Sequence, residues 1–327
     1  STQVVMALAR FSFDGTLDAS FGSGGKVVGA SSSNGYPKAI AIQSDGKIVL
    51  AGTPYFGLAR LNPDGSFDIT FGTSGLVSAN PSTVSGGTGS AYAVAIQKIP
   101  AVTGEERIVV GGWAKPDTTT SSFADFAVMR FRPDGAIDTT FGNNGRVNTD
   151  FFGFGDQIFD LTLDANNRIV TTGFSYIASD QCGAYVKDFG LARYLEDGSL
   201  DLSFNSTGRQ TVDLIAGQDV GQSVVVQADG SILVSGFAYS SNNAIHDFGL
   251  VRLNPDGTRD ISFGPRGDGV VATDFFNSQL HYNYAFSVGI QLDGKIVVAG
   301  TTNICSGSGK NACRSSVSKI ALARYWP

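Results

Sequence analysis

An all-β repeat architecture is predicted by three observations. A phrase recurs along the chain: Met6-Ala-Leu-Ala-Arg-Phe-Ser-Phe-Asp-Gly-Thr-Leu-Asp-Ala-Ser-Phe-Gly22 returns as Phe56-Gly-Leu-Ala-Arg-Leu-Asn-Pro-Asp-Gly-Ser-Phe-Asp-Ile-Thr-Phe-Gly72. Further copies begin at Phe126, Phe189 and Phe248, and a stub, Ile320-Ala-Leu-Ala-Arg-Tyr325, comes near the end. A second phrase alternates with the first, as Ala39-Ile-Ala-Ile-Gln-Ser-Asp-Gly-Lys-Ile-Val-Leu-Ala-Gly52 and again from Ser287 to Gly300. No stretch shows sustained helical periodicity. Self-similarity at a fixed period marks a repeat fold whose units share one structure.

Each phrase reads as strands, because short runs of Ala, Val, Ile and Leu are bounded by Gly, Asp, Asn or Pro, and Asp-Gly between two apolar runs marks a hairpin. In the first full unit the first strand is 39–43 and the second is Lys47–Ala51. The third is Phe56–Leu61, and a weaker fourth follows Phe-Gly-x-x-Gly at Leu76–Ser78. Four-stranded units of this length, stacked radially, are propeller blades. The repeated arginine sets the register at Arg10, Arg60, Arg130, Arg193, Arg252 and Arg324, with intervals of 50, 70, 63, 59 and 72 residues. The core phrase is fixed and the connections vary.

The count is five copies of the first, second and fourth strands and six of the third. The expectation is therefore a five-bladed β-propeller of four-stranded blades in a single domain, 1–327. Its repeat units are about 29–78, 79–148, 149–213 and 214–273, with 274–327 closed by 1–28. In that closure Lys26–Val28 completes the last blade, and one Leu-Ala-Arg strand is left over at an edge, displaced, or paired with another molecule. Alternate positions of the first strand are mostly small, as at Ala39/Ala41 and Ala93/Ala95, which suits strands crowded around a narrow axis; Asp160 is the one carboxylate of that series.

Composition narrows the function classes. Only 16% of residues are charged, the net charge is -6, and no basic cluster is present, which argues against nucleic acid as a partner. No run of about 18 apolar residues is present to span a membrane as a helix. Cys305 and Cys313 bracket a short Gly/Ser loop that a disulfide would restrain, and Cys182 is left over. Few Lys, abundant Ser, Thr and Gly and a disulfide point to a mature exported chain that is secreted, periplasmic or displayed at the cell surface, with no signal peptide visible.

The motifs Leu-Ala-Arg-x-Asn-Pro-Asp-Gly-Ser-x-Asp-x-x-Phe-Gly at 58–72 and Gln-x-Asp-Gly-Lys-Ile-Val-x-Ala-Gly at 291–300 resemble the delta-60 repeat family, and the match covers nearly the whole chain. The resemblance implies a bacterial-type, often exported, propeller-like domain with no general activity or catalytic set. The chain departs from the pattern with Asn205 in place of Gly, Asn166-Asn167 in place of Asp-Gly, and the insertion Lys98–Arg107.

The repeated residues have a structural and a chemical reading. Asp-Gly-x-x-Asp, as at Asp64/Asp68 and Asp134/Asp138, offers paired carboxylates that with water bind calcium. Alternatively, the first Asp shapes a turn and the second receives the repeated arginine, since a buried guanidinium must be paired. No other cofactor is expected. The Phe of each Phe-Gly or its variant (Phe21, Phe71, Phe141, Phe204, Phe263) reads as an inter-blade core plug.

Function is expected where the repeats differ, in two sets of loops at one end of the blades. These carry Tyr55, Trp113, Phe151, Phe152, Tyr176, Tyr239, Tyr282 and Tyr284, with Asp156, Asp180, His246 and His281 among them. Aromatic faces beside amides and hydroxyls suit a carbohydrate or a peptide. Tyr55, Trp113, Tyr176, Tyr239, His281, Tyr282 and Asp156 are the ligand-binding candidates of an exported binding or surface-interaction module. Two alternatives stand. One is a propeller hydrolase or lyase acting on a glycan or ester, though no nucleophile elbow, zinc helix or phosphate loop is present. The other is a structural subunit that self-associates by adding its spare strand to another copy.

Overall fold

The computed structural model describes residues 6–29, 36–82, 87–99, 104–115, 123–179, 185–215, 217–240, 245–275, 281–305 and 316–327. They form twenty-one strands and no helix, in two compact units, Ser1–Thr149 and Asp150–Pro327. Among the described residues no helix is long and apolar enough to cross a membrane.

The first unit opens with β1 (Ala7–Ala9) paired antiparallel to β2 (Lys26–Val28). The first Leu-Ala-Arg segment thus has a partner of its own, and Lys26–Val28 pairs with it. A four-stranded sheet follows in chain order, β3 (Tyr36–Ile42), β4 (Ile48–Thr53), β5 (Phe56–Leu61) and β6 (Leu76–Ala79). The next repeats that order with β7 (Thr88–Lys98), β8 (Glu106–Lys115), β9 (Asp125–Phe131) and β10 (Arg146–Thr149). Val49, Phe56, Leu58, Phe71, Ile108, Val110, Met129 and Phe131 form one core, and Phe21, Ile48, Leu50 and Leu61 a second.

The second unit repeats the meander three times. It runs β11 (Asp156–Leu163), β12 (Ile169–Ser179), β13 (Tyr185–Tyr194), β14 (Arg209–Val212), then β15 (Gly217–Val226), β16 (Ile232–Ser240), β17 (Ile245–Leu253), β18 (Val270–Thr273), and ends with β19 (His281–Ile290), β20 (Ile296–Cys305) and β21 (Ser316–Tyr325). Each third strand touches the next first strand through a single parallel pair, Lys187↔Gln218 and His246↔Tyr282. The cores lie between successive meanders, around Phe189, Leu191, Phe204 and Val234 and around Phe248, Leu250, Phe263 and Val298.

Two devices hold the meanders. Every first strand carries a bulge at the same place, between Pro37 and Ala39, Ala91 and Ala93, Ile158 and Asp160, Gly221 and Ser223, and Ala285 and Ser287. A bulge bends the strand and thrusts backbone at its partner. The glycine closing each second phrase sits opposite: a Cβ on Gly173 would lie 1.8 Å from the Gln157 carbonyl oxygen, and one on Gly300 1.9 Å from that of Tyr284. The second device is the repeated ion pair. Arg60 Nε and Nη2 donate to Asp68 Oδ2 at 2.9 and 2.8 Å, and Arg193 Nε donates to Asp201 Oδ2 at 2.8 Å. Each guanidinium also lies over the repeated phenylalanine, 4.4 Å from the Phe71 centroid and 4.8 Å from that of Phe204. The arginine then reaches the next repeat, donating to the carbonyl of Pro133 from Arg60 and of Pro255 from Arg193.

The aspartates accept a second cation at the start of the second strand: Lys47 on Asp68, Arg107 on Asp138 and Arg168 on Asp201. Burial alone would raise the Asp68 carboxyl, but the Thr70 hydroxyl and amide and the Arg60 charge outweigh it and hold it at about 2; Asp138 is held at about 2 in the same way by Thr140, Arg130 and Arg107. Phe21, Phe71, Phe141, Phe204 and Phe263 are all buried, as core plugs must be. The departures from the repeat keep its backbone, since Asn167 and Asn205 replace glycine in the left-handed region at φ 64° and 48°, which asparagine tolerates best among residues with a side chain.

Candidate functional site

Of the aromatic residues expected on loops, Trp113, Tyr176, Tyr239, Tyr282 and Tyr284 stand on strand ends, because the strands run further than the apolar runs alone indicate, whereas Tyr55, Phe151 and Phe152 lie between strands. In β16 the alternation continues past Gly236, with Ala238 buried and Phe237 and Tyr239 on the opposite face. Period two places them on one side of the sheet.

In the second unit this alternation builds a patch of rings around His246. The antiparallel register sets His246 beside Tyr239, and the single parallel pair sets it beside Tyr282. Phe237 and Tyr284, two residues along on the same face, close the patch. Ring centroids lie 4.7 Å from His246 for Tyr239, 4.8 Å for Tyr284, 5.1 Å for Tyr282 and 5.6 Å for Phe237. Tyr284 stacks parallel to Phe286, the half-exposed extra residue of the bulge, at 6.3 Å. The rings around His246 are half-buried. Burial pushes the His246 imidazole down to about 4, so it is neutral at pH 7. Burial and the neighbouring Tyr282 push the Tyr284 phenol up. The patch therefore offers apolar faces and neutral hydrogen-bonding edges.

A smaller grouping precedes it, where the Lys187 ammonium lies 4.4 Å from the Phe174 centroid and 5.0 Å from that of Tyr176. Elsewhere in the unit a shallow cavity of about 180 Å³ lies among Phe151, Phe152, Asn205, Arg209 and Gln210, below the ~300 Å³ of an ordinary ligand pocket.

Of the candidates named from sequence, Tyr239 and Tyr282 come together in the patch and Tyr176 sits in the grouping before it. Tyr55 and Trp113 belong to the first unit: Tyr55 bridges to Ser90, and Trp113 pairs across to Ser90 and Phe126. Asp156 is buried, and its Oδ2 accepts the Phe151 amide at 3.0 Å. His281 begins β19, but its side chain lies outside the described residues, as do Asp180, Cys182, Cys313 and the Cys305 side chain. Asp64 accepts the Ser66 amide and hydroxyl, and Asp134 accepts the Ala136 amide. Asp68 and Asp138 are the ion-paired carboxylates described above. Asp160 clips two meanders together, its Oδ2 accepting the Val224 amide at 2.9 Å.

Sequence reasoning passed over Asp188, Asp213 and Asp219, which the structure gathers into one group able to hold a metal ion. The signal was spacing: intervals of 25 and 6 residues separate them, as they do Asp125, Asp150 and Asp156.

Comparison with known proteins adds the following. The family model described as "Domain of unknown function (DUF5122) beta-propeller" matches residues 43–71, 107–141, 165–204, 227–263 and 291–314, together half of the chain. Among curated protein sequences no match was found. Among solved structures, a protein of unknown function from Bacteroides caccae is 10% identical, covering 89% of this chain and 81% of its own, with a TM-score of 0.43. An exo-1,5-alpha-L-arabinanase from a bovine ruminal metagenomic library is 12% identical over 88% of this chain and 91% of its own, with a TM-score of 0.36. An ulvan lyase, from a new family of polysaccharide lyases, is 13% identical over 86% of this chain and 63% of its own, with a TM-score of 0.48.

Proposed function

The chain belongs to the DUF5122 β-propeller family, whose description assigns no activity, and we propose from its own geometry that it is a binding module whose recognition surface is the ring patch around His246. The observation that carries this is four aromatic rings within 5.6 Å of one half-buried, neutral imidazole on adjacent strand ends. Tyrosines supply rigid apolar area with a polar tip, at low entropic cost. With the His246 imidazole uncharged at neutral pH and the Tyr284 phenol pushed up, the patch suits a neutral ligand that is apolar on one face and hydroxylated at its edge, as a sugar ring is. With this reading go the finer structural expectations of five blades, a ring closed by terminal strands, membership of the delta-60 repeats, and export to where glycans are met.

The test is affinity electrophoresis of the full chain in neutral polysaccharides, followed by calorimetry with the oligosaccharide of whichever is bound. Replacing Tyr239 and Tyr282 together with alanine should weaken binding at least tenfold, since each base-like stacking contact contributes about 1–3 kcal/mol elsewhere. Affinity should stay flat from pH 5 to 8, because His246 titrates below that range. Binding that the double variant retains in full, or no retardation in any neutral polysaccharide, would sink the proposal. Retardation only by peptides would move the ligand class, and shortened glycan products would make the protein a hydrolase or lyase.

A further inference from the structure

Away from the ring patch, three acidic side chains converge from three elements of the second unit. Asp188 lies in β13, Asp213 directly follows β14, and Asp219 lies in β15. Each offers a carboxylate oxygen, and the three oxygens lie within 4.8 Å of one another. Asp213 is exposed, whereas Asp188 and Asp219 are only 5% and 0% exposed. Asp219 Oδ2 accepts the Leu214 amide at 2.7 Å, but Oδ1 of Asp219 and Oδ1 of Asp188 are buried with no hydrogen-bond partner. Ser175, cross-strand from Asp188, holds a buried Oγ that is likewise without one.

Buried acceptors without donors are costly, and like charges in one low-dielectric place more so. The basic groups nearby do not resolve this. Arg259 is close enough to favour the Asp188 charge, but its Nη2 donates to the Asp213 backbone carbonyl at 3.1 Å. Arg266 Nη2 reaches the Leu214 carbonyl at 3.4 Å. Lys187, next along β13, lies over Phe174 and Tyr176. Among the described residues no ion pair joins the three carboxylates to a basic side chain. The following repeat carries an amide in place of one of the carboxylates. There Asn283 stands at the position of Asp219, two residues before the bulge, and its Nδ2 donates toward Asp247 Oδ1 at 3.5 Å.

We propose that Asp188, Asp213 and Asp219 form a calcium site. The donors are all hard oxygens, which excludes the nitrogen and sulfur preferences of zinc and copper. Exposed Asp213 leaves one side open to water, which completes the six to eight ligands calcium takes, while magnesium demands a stricter octahedron. Burial, aided by Asp213, pushes Asp188 up to about 6, and burial outweighs the Leu214 amide to push Asp219 up to about 8. Calcium takes carboxylates in their charged form, so its affinity rises with pH.

The test uses the full chain stripped with a chelator and titrated with calcium chloride, at pH 8 and pH 5, following Tm and proton release. At pH 8, about 1 mM calcium, the range of extracellular modules, should raise Tm by about 5 °C. The rise should vanish at pH 5, and magnesium should give less. Asp213→Asn, a surface change that leaves the core intact, should weaken calcium at least tenfold, and Asp219→Asn should abolish the response. A wild-type Tm that calcium does not move at pH 8, a rise that both variants keep in full, or an equal response to magnesium would overturn the assignment.

Discussion

Strand β13 carries two acidic environments five residues apart. At its far end Arg193 meets Asp201, whose carboxylate also accepts Arg168 and the Ser203 hydroxyl. These partners hold the Asp201 carboxyl low against its burial. At its near end Asp188 is equally buried and lacks a hydrogen-bond partner on Oδ1, and its carboxyl is raised to about 6 by burial and by Asp213. Burial is the same in kind at both ends, and the partners decide the outcome. The first end recurs along the chain with its partners built in, as a structural joint must. The second is left open to something that binds.

The largest effect is expected from breaking the paired end. Asp201→Ala leaves Arg193 and Arg168 facing each other without their anion inside the protein. Removing one partner of a buried pair costs about 3–5 kcal/mol, so urea denaturation should show that loss at pH 7. Arg193→Ala should lose a similar amount, because it also gives up the Phe204 face and the Pro255 carbonyl. A loss below about 1 kcal/mol in both would mean that the joints are ornamental.

How much of this was legible in the sequence follows from the same contrast. The joint was legible, because Arg and Asp eight residues apart recur in every copy and a buried arginine demands an acceptor. So were the four strands: Phe56–Leu61 was read with its observed bounds, and Leu76–Ala79 one residue short. Asp188, Asp213 and Asp219 were passed over although their spacing repeats that of Asp125, Asp150 and Asp156, since they are distant along the chain and meet through the pairing of β13 with β14 and β15. Tyr239 and Tyr282 were picked as binding residues but placed on loops, because the alternation of Phe237 and Tyr239 about Ala238 was not carried past Gly236. The role of that glycine was hidden too, for nothing local in the sequence marks the bulge that crowds it.

The comparison sharpens if the amide-bearing repeat is given the missing carboxylate. Asn283→Asp replaces the amide that donates toward Asp247 with a buried carboxyl. At pH 8 and without metal this should cost about 2 kcal/mol, the penalty of an unpaired buried acceptor and a like charge. At pH 5, where a carboxyl so raised holds its proton, the cost should shrink. A loss equal at both pH values would show that shape rather than charge governs the position.

The smallest effect runs the other way. In chelated protein, Asp188 and Asp219 bind protons in the fold at about 6 and 8 that the unfolded chain releases near its ordinary 3.8. The folded state therefore holds more protons between those values, and stability falls as pH rises from about 4 toward 8. Asp68 and Asp138, held at about 2, act in the opposite sense: their contribution is present above 3.8 and is lost as pH falls toward 2. Metal-free stability should accordingly peak near pH 4, lost on the acid side through the joints and on the alkaline side through the cluster. Asp219→Asn keeps an oxygen for the Leu214 amide and removes the charge. It should exceed the wild type by more at pH 8 than at pH 5, and flatten the alkaline limb while leaving the acid limb untouched. Should the variant instead be the less stable protein at pH 8 in chelator, the carboxylate would be gaining more from its surroundings than burial costs it, and the contrast between the two ends of β13 would fail.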